Sequence, residues 1–297
     1  MTIKHLVISG GGAIGLNYLG ILQYLNEEQF WDIENIESIY TTSVGGFVAI
    51  VLCLQYDWET LSTYFIERPW QDVFKVTAKQ IWDAYYNKGI YDKKIVETIF
   101  KPLLQAKDLS LNITLKEFYE YSKKDVYFYT FEMNSFKTIE ISHKTHPDLA
   151  LITVIHMSCA LPGLFMPVIM DSECYIDGGF IDNYPLHFCL KNVELKEEIL
   201  GLNYSIFNNN DTKHQTITKE STILDFILDF SIKSMNHIAN SIVSPTIPYE
   251  VVCRCDESPV SFQYTSTVIQ SKDVRKKMYD DGIKYGTTFL SSIQNKK

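Results

Sequence analysis

Two short segments carry residues able to do chemistry. The first, His5-Leu6-Val7-Ile8-Ser9-Gly10-Gly11-Gly12-Ala13-Ile14-Gly15, runs an apolar stretch into a glycine-rich turn. The second ends another apolar stretch in Thr42-Ser43-Val44-Gly45-Gly46. Glycines at such a turn can aim backbone N–H groups at a developing oxyanion. A sharp strand-to-helix turn pushes a serine hydroxyl clear of the sheet. In this order the two segments point to acyl transfer by a serine nucleophile, with Ser43 as the candidate.

Thr41-Thr42-Ser43-Val44-Gly45 approximates the nucleophile elbow G-x-S-x-G, with Thr41 in place of the first glycine. A plain helix N-cap serine is the alternative reading of Ser43. A serine nucleophile needs a base. His143, His146, His156, His187, His214 and His237 follow Ser43, and none sits in a recognisable motif. Asp177-Gly178-Gly179 does: an acid at a strand end backed by two glycines can approach another loop closely. An aspartate can act as general base if its site offsets an unperturbed pKa of about 3.9. Gly10-x-Gly12-x-x-Gly15 also fits a dinucleotide-binding turn. That function wants an acid at the end of the second strand, and Glu34 and Glu37 lie at its start. The nucleotide reading is therefore the weaker.

These segments together resemble the patatin-like phospholipase family. The likeness is carried by Gly10-Gly11-Gly12-Ala13-Ile14-Gly15 and by Thr42-Ser43-Val44-Gly45-Gly46. It is carried also by the S-x-A-x-P run Ser158-Cys159-Ala160-Leu161-Pro162 and by Asp177-Gly178-Gly179 with Asn183 and Pro185 behind it. The resemblance covers residues 5 to 206. It implies a three-layer α/β/α sandwich with a mostly parallel central sheet, cleaving lipid acyl esters through a Ser–Asp dyad. Ser43 would be the nucleophile and Asp177 the base, and backbone N–H groups at Gly10, Gly11, Gly12 and Val44 would form the oxyanion hole. Ile14 stands where members usually carry Lys or Arg, and Thr41 where the elbow usually has glycine. The Thr41 branch is expected to press on the following helix. A catalytically weak lipid-binding protein, or an acyltransferase using the same dyad, would share every residue named.

The elements that must position these groups can be read from periodicity. Residues 5–10 and 36–42 read as strands, 15–28 and 44–56 as helices, which argues for an α/β fold on parallel strands. Residues 57–122 are mostly helical in pattern, with a capping box at Thr114 and Glu117. Residues 126–133, 137–142 and 198–206 read as strands, and 250–255 alternates like one. Pro147 is expected to open a helix running to Ala160. Residues 207–213 read as a polar loop. An amphipathic helix over 221–241 has Ile223, Leu224, Ile227, Phe230 and Met235 on or near one face, expected to pack on the core. A last helix covers 272–293. No boundary or repeat divides the chain, so residues 1–297 read as one domain.

Composition narrows the function. The 297 residues are 46% hydrophobic and 21% charged, ordinary for a globular protein. A net charge of −9 argues against a nucleic-acid partner. The longest apolar stretches fall short of the roughly 18–20 residues that span a bilayer, so no transmembrane anchor is expected. The N-terminus reads as entering a strand at once, so no signal peptide is expected. Six cysteines without a C-x-x-C pair suit free thiols in a reducing compartment. The expected location is the cytoplasm, or the host cytoplasm if the source is viral. No metal or organic cofactor is called for. The expected partners are an acyl lipid substrate and, transiently, a membrane surface; for helix 221–241 and residues 161–169, bordering an acyl groove or touching that surface is the alternative to core packing.

Overall fold

Short buried strands alternate with helices from the N-terminus, the arrangement that lets parallel strands pair through crossovers. The computed structural model describes residues 2–206, 217–241, 245–256 and 258–295. Strand β1 (His5–Ile8), helix α1 (Gly15–Glu27), strand β2 (Ser38–Thr42) and helix α2 (Val44–Cys53) open the chain. Helices α3 (Trp58–Glu67), α4 (Trp70–Val73) and α5 (Ala78–Asn87) follow, then β3 (Gly89–Tyr91), α6 (Lys93–Gln105) and α7 (Leu115–Ser122). The middle of the chain gives β4 (Asp125–Glu132), β5 (Lys137–Ile141), α8 (Leu151–Ser158), β6 (Gly163–Phe165), β7 (Val168–Met170) and β8 (Glu173–Asp177). Last come α9 (Leu186–Asn192), β9 (Ile199–Ile206), α10 (Ile223–Ser241), β10 (Tyr249–Cys255), α11 (Phe262–Gln270) and α12 (Lys272–Gln294).

The main sheet runs β10-β9-β1-β2-β4-β8-β7, with β5 also on β4. Its five strands from β10 to β4 are parallel, and β5 and β8 lie antiparallel to β4. Alternate residues feed two cores. Leu6, Ile8, Ile39 and Phe128 face the larger one, built with α1, α2 and α8, while Val7, Tyr40, Tyr127 and Tyr129 face a smaller one under α9. The result is an α/β/α sandwich, and among the described residues β3 and β6 form a separate two-stranded sheet.

The stretch 57–122 is mostly helical, as its pattern implies, and also contains β3, a strand that three residues cannot announce and that exists because β6 pairs with it. Two expectations need correction. The helix expected from Pro147 starts at Leu151, after an extended Ala150. The Pro147 and Leu149 carbonyls accept from Lys116 and Leu115 at the start of α7, and that pairing holds the segment extended. Helix α10 presents two faces. Met235 is buried with Leu228 and Ile232, whereas Ile223, Ile227 and Phe230 are exposed. Positions 223 and 235 are about 120° apart at 3.6 residues per turn, so one face cannot hold both. The expected loop at 207–213 lies outside the described residues.

Candidate active site

The register of β4 brings the site together. Its edge pairs first with β2, up to Thr42 opposite Tyr129, and then with β8, where Asp177 lies opposite Thr130. Strand β5 pairs with residues 128–132 and so overlaps both, which places it on the other edge. Strands β2 and β8 therefore approach each other end to end along one edge of β4. The residue following β2 is Ser43, and the last of β8 is Asp177.

Ser43 adopts φ 53°, ψ −126° at the head of α2. A non-glycine residue in such a region stores about 1–3 kcal/mol of strain. The neighbours hold it there. The Ser43 N–H donates to Ser158 Oγ at 2.9 Å, and the Ser158 hydroxyl donates to the Tyr129 carbonyl at 2.8 Å. Ser158 comes from the S-x-A-x-P run, a motif that sequence reading noted without giving this hydroxyl a task. Glycine is required at 45, where a Cβ would collide with the Ile8 carbonyl oxygen.

Thr41 does not press on α2. Its hydroxyl donates to the Tyr127 carbonyl at 3.0 Å, and a Cβ built on Gly46 would still stand 3.7 Å from it. Thr41 would thus be in ordinary contact even with a side chain at 46, where the closer neighbour is the Phe128 ring at 3.2 Å. Ile14 turns into the larger core and is buried.

The Ser43 hydroxyl donates to Asp177 Oδ2 at 2.7 Å, and Asp177 Oδ1 accepts the Gly179 N–H at 2.8 Å. Asp177 is buried. Desolvation pushes its carboxyl up to about 6, although the bonds from Ser43 and Gly179 pull the other way. Such a carboxylate is ionised at neutral pH and more basic than an exposed one, which suits a general base.

The glycine turn reaches φ 138° at Gly11 and 53° at Gly12, a path open to residues without a Cβ. Its amides differ in what they do. The Gly10 N–H donates to the Asn183 carbonyl at 3.0 Å, which removes Gly10 from the expected oxyanion donors. Gly10 instead ties the turn to the Asn183 loop, where its missing Cβ leaves room for the Asn183 side chain. The N–H of Val44, first residue of α2, is among those a helix leaves without an internal acceptor. Gly12 opens a 3-10 turn, with Gly11 before it as its cap.

Ser43 and Asp177 line a cavity of about 500 Å³, together with Gly11, Gly12 and Val44. Most of its wall is apolar, with Leu19, Phe47, Val51 and Phe165 among the lining residues. Arg275 fixes one part of the wall. Its buried guanidinium donates to the carbonyls of Ile66, Arg68, Val268 and Ile269, joining α3 and α11 to α12. Among the described residues no histidine lines this cavity. His187 Nδ1 lies 2.9 Å from Asp182 and His143 Nε2 3.6 Å from Asp125, so both accompany other carboxylates. Among the described residues no cluster of three or more His, Cys, Asp or Glu could hold a metal ion, and no helix is long and apolar enough to cross a membrane.

Residues 6–190 match the family described as patatin-like phospholipase. The chain is similar to an uncharacterized protein of Acanthamoeba polyphaga mimivirus, 23% identical over 95% of this chain and 92% of that one. It is also similar to a probable lipid hydrolase of Invertebrate iridescent virus 6, 27% identical over 63% of each chain. In fold it resembles the crystal structure of VipD from Legionella pneumophila, with a TM-score of 0.50 and 17% identity over 95% of this chain and 67% of that one.

Proposed function

The chain belongs to the patatin-like phospholipase family and is a hydrolase of lipid esters, and from that premise we propose that it releases fatty acids from phospholipids or other acyl lipids through Ser43 and Asp177. The observation that carries this reading is the 2.7 Å bond from Ser43 Oγ to Asp177 Oδ2 at the wall of a largely apolar cavity.

In the first half-reaction the Ser43 oxygen attacks the ester carbonyl carbon while Asp177 takes the hydroxyl proton. The N–H groups of Gly11, Gly12 and Val44 receive the negative charge on the former carbonyl oxygen, each good donor contributing roughly 3–4 kcal/mol. Collapse of the adduct breaks the carbon–oxygen bond to the alcohol. The alcohol or lysolipid leaves with the proton held by Asp177, and the acyl group stays on Ser43. A water molecule, losing its proton to Asp177, then attacks the acyl-enzyme. Fatty acid departs and Ser43 regains its proton. The apolar cavity would take the acyl chain, since such surface gains free energy on leaving water. The viral relatives support the cytoplasm of an infected cell as the place where this happens.

The test is fatty-acid release from phosphatidylcholine vesicles, with calcium chelated, by the wild type, Ser43→Ala and Asp177→Asn. Release by the wild type that both substitutions abolish is the expected result. Persisting release by Ser43→Ala would sink the proposal. A folded wild type that binds vesicles but hydrolyses neither them nor a short-chain ester would leave a lipid-binding protein.

A further inference from the structure

Helix α5 has no buried residue, yet its sequence is not that of a solvated helix. Ile81, Trp82, Tyr85 and Tyr86 are 58–83% exposed. At these spacings they occupy one face. Helix α10 offers a second such face, with Ile223, Phe226, Ile227 and Phe230 40–72% exposed and the rings of Phe226 and Phe230 stacked 6.4 Å apart. Large contiguous apolar patches on a protein surface mark interaction sites.

Both helices are tied to the cavity that holds Ser43. Phe74, Lys75 and Val76, which lead into α5, line it, and so do Leu228 and Met235 on the inner face of α10. The strand after α5, β3, pairs with β6, and α10 packs on β6. A single connected unit, α5–β3–β6–α10, therefore carries two outward apolar faces and forms part of the cavity wall.

We propose that this unit docks the protein on the surface of a lipid bilayer made of zwitterionic phospholipid, with the faces of α5 and α10 inserted at headgroup depth. This rests on the reading that the cavity takes lipid esters, because that substrate must leave a bilayer to reach Ser43. Residue type supports it: Trp and Tyr, apolar in body and polar at the tip, settle at the membrane–water interface. Charge selects the surface. The chain carries a net charge of −9, and beside the exposed α10 face Asp225 stands in the first turn while Lys233 is paired with Asp229 at 2.7 Å, so no basic patch forms there. Attraction to anionic lipid would need a basic patch. Apolar insertion needs none.

The experiment measures co-sedimentation of full-length protein with phosphatidylcholine vesicles in the Ser43→Ala background, where turnover cannot alter the membrane. Trp82→Glu and Phe226→Glu are made there and, separately, in the active protein. Both positions are exposed, so thermal melting should match that of the parent. Each substitution is expected to weaken vesicle partitioning about tenfold or more, the equivalent of one aromatic side chain's burial. In the active protein each should lower release from vesicles while leaving hydrolysis of a soluble short-chain ester unchanged. Unaltered partitioning would overturn the proposal. So would binding confined to anionic vesicles and abolished by salt, or a dimer in sedimentation that both substitutions dissolve. If the soluble ester is never hydrolysed but partitioning still falls, docking stands and the hydrolase reading is what fails.

Discussion

Ser43 and Asp177 meet because one strand edge receives both of their strands: Thr42 lies opposite Tyr129 and Asp177 opposite Thr130, neighbours on β4. The two catalytic candidates are 134 residues apart in sequence, yet their distance depends on a step of one residue along β4. The Tyr129 carbonyl at that step accepts the Ser158 hydroxyl, which in turn receives the Ser43 N–H. Ser43, Asp177 and Ser158 thus share one point of reference, and a register slip anywhere in this strand would separate all three.

The pH dependence of hydrolysis should report Asp177. Burial holds its carboxyl at about 6, and the mechanism uses the ionised form. For a soluble short-chain ester, kcat/KM is expected to rise about tenfold per pH unit up to about 6 and then to level off. An acid limb near the ordinary carboxylate value of about 4 would show that Asp177 is solvated during the reaction.

Removing the clamp should cost rate more than affinity. Ser158→Ala leaves the Ser43 N–H and the Tyr129 carbonyl without their partner. Stability is expected to fall by about 1–3 kcal/mol, the penalty for unpaired buried polar groups. A small shift of the elbow should lower kcat about a hundredfold. The KM for a soluble ester should stay near that of the parent, because the cavity wall is untouched. A change in KM alone would assign Ser158 to substrate binding instead.

Much of this site was legible from sequence, for local reasons. The Gly-rich turn, the elbow and the Asp177 turn each combine strand, tight turn and reactive residue within a few positions. What sequence could not supply came from pairing. Strand β3 exists only against β6, and the start of α8 is displaced by bonds to the loop before α7. The Gly10 amide resembles its neighbours in sequence but is consumed by the Asn183 carbonyl. The division of α10 into two faces was visible in its spacing, but not which face would be covered. Even the Thr41 departure needed the structure, because its hydroxyl finds an acceptor on the neighbouring strand β4.

That accommodation gives a counter-intuitive expectation for Thr41→Gly, which restores the commoner elbow pattern. Thr41 is fully buried and donates to Tyr127 across the β2–β4 pair. Losing that bond and placing glycine inside a strand should destabilise the protein by roughly 1–2 kcal/mol. The elbow itself already has its room, so kcat should not improve. A tenfold gain in kcat would mean that Thr41 does distort Ser43.

Burial of the Asp177 carboxyl also imposes a stability cost that a conservative substitution should relieve. Burial holds the Asp177 carboxyl at about 6 in the folded protein, against an ordinary value of 3.8 in the unfolded chain. A folded pKa raised in this way gives stability that is complete below 3.8 and lost as pH rises through about 6. Asp177→Asn keeps the shape and cannot ionise, so it lacks that loss. Relative to the wild type, the variant should therefore gain about 2 kcal/mol between about pH 4.5 and about pH 7.5. Urea unfolding of both proteins at the two pH values isolates this term, because other groups titrate alike in the pair. Together with lost turnover, that gain would identify Asp177 as a group held against its own solvation for the sake of proton transfer. Stability curves that stay parallel across the range would show that burial does not perturb this carboxyl.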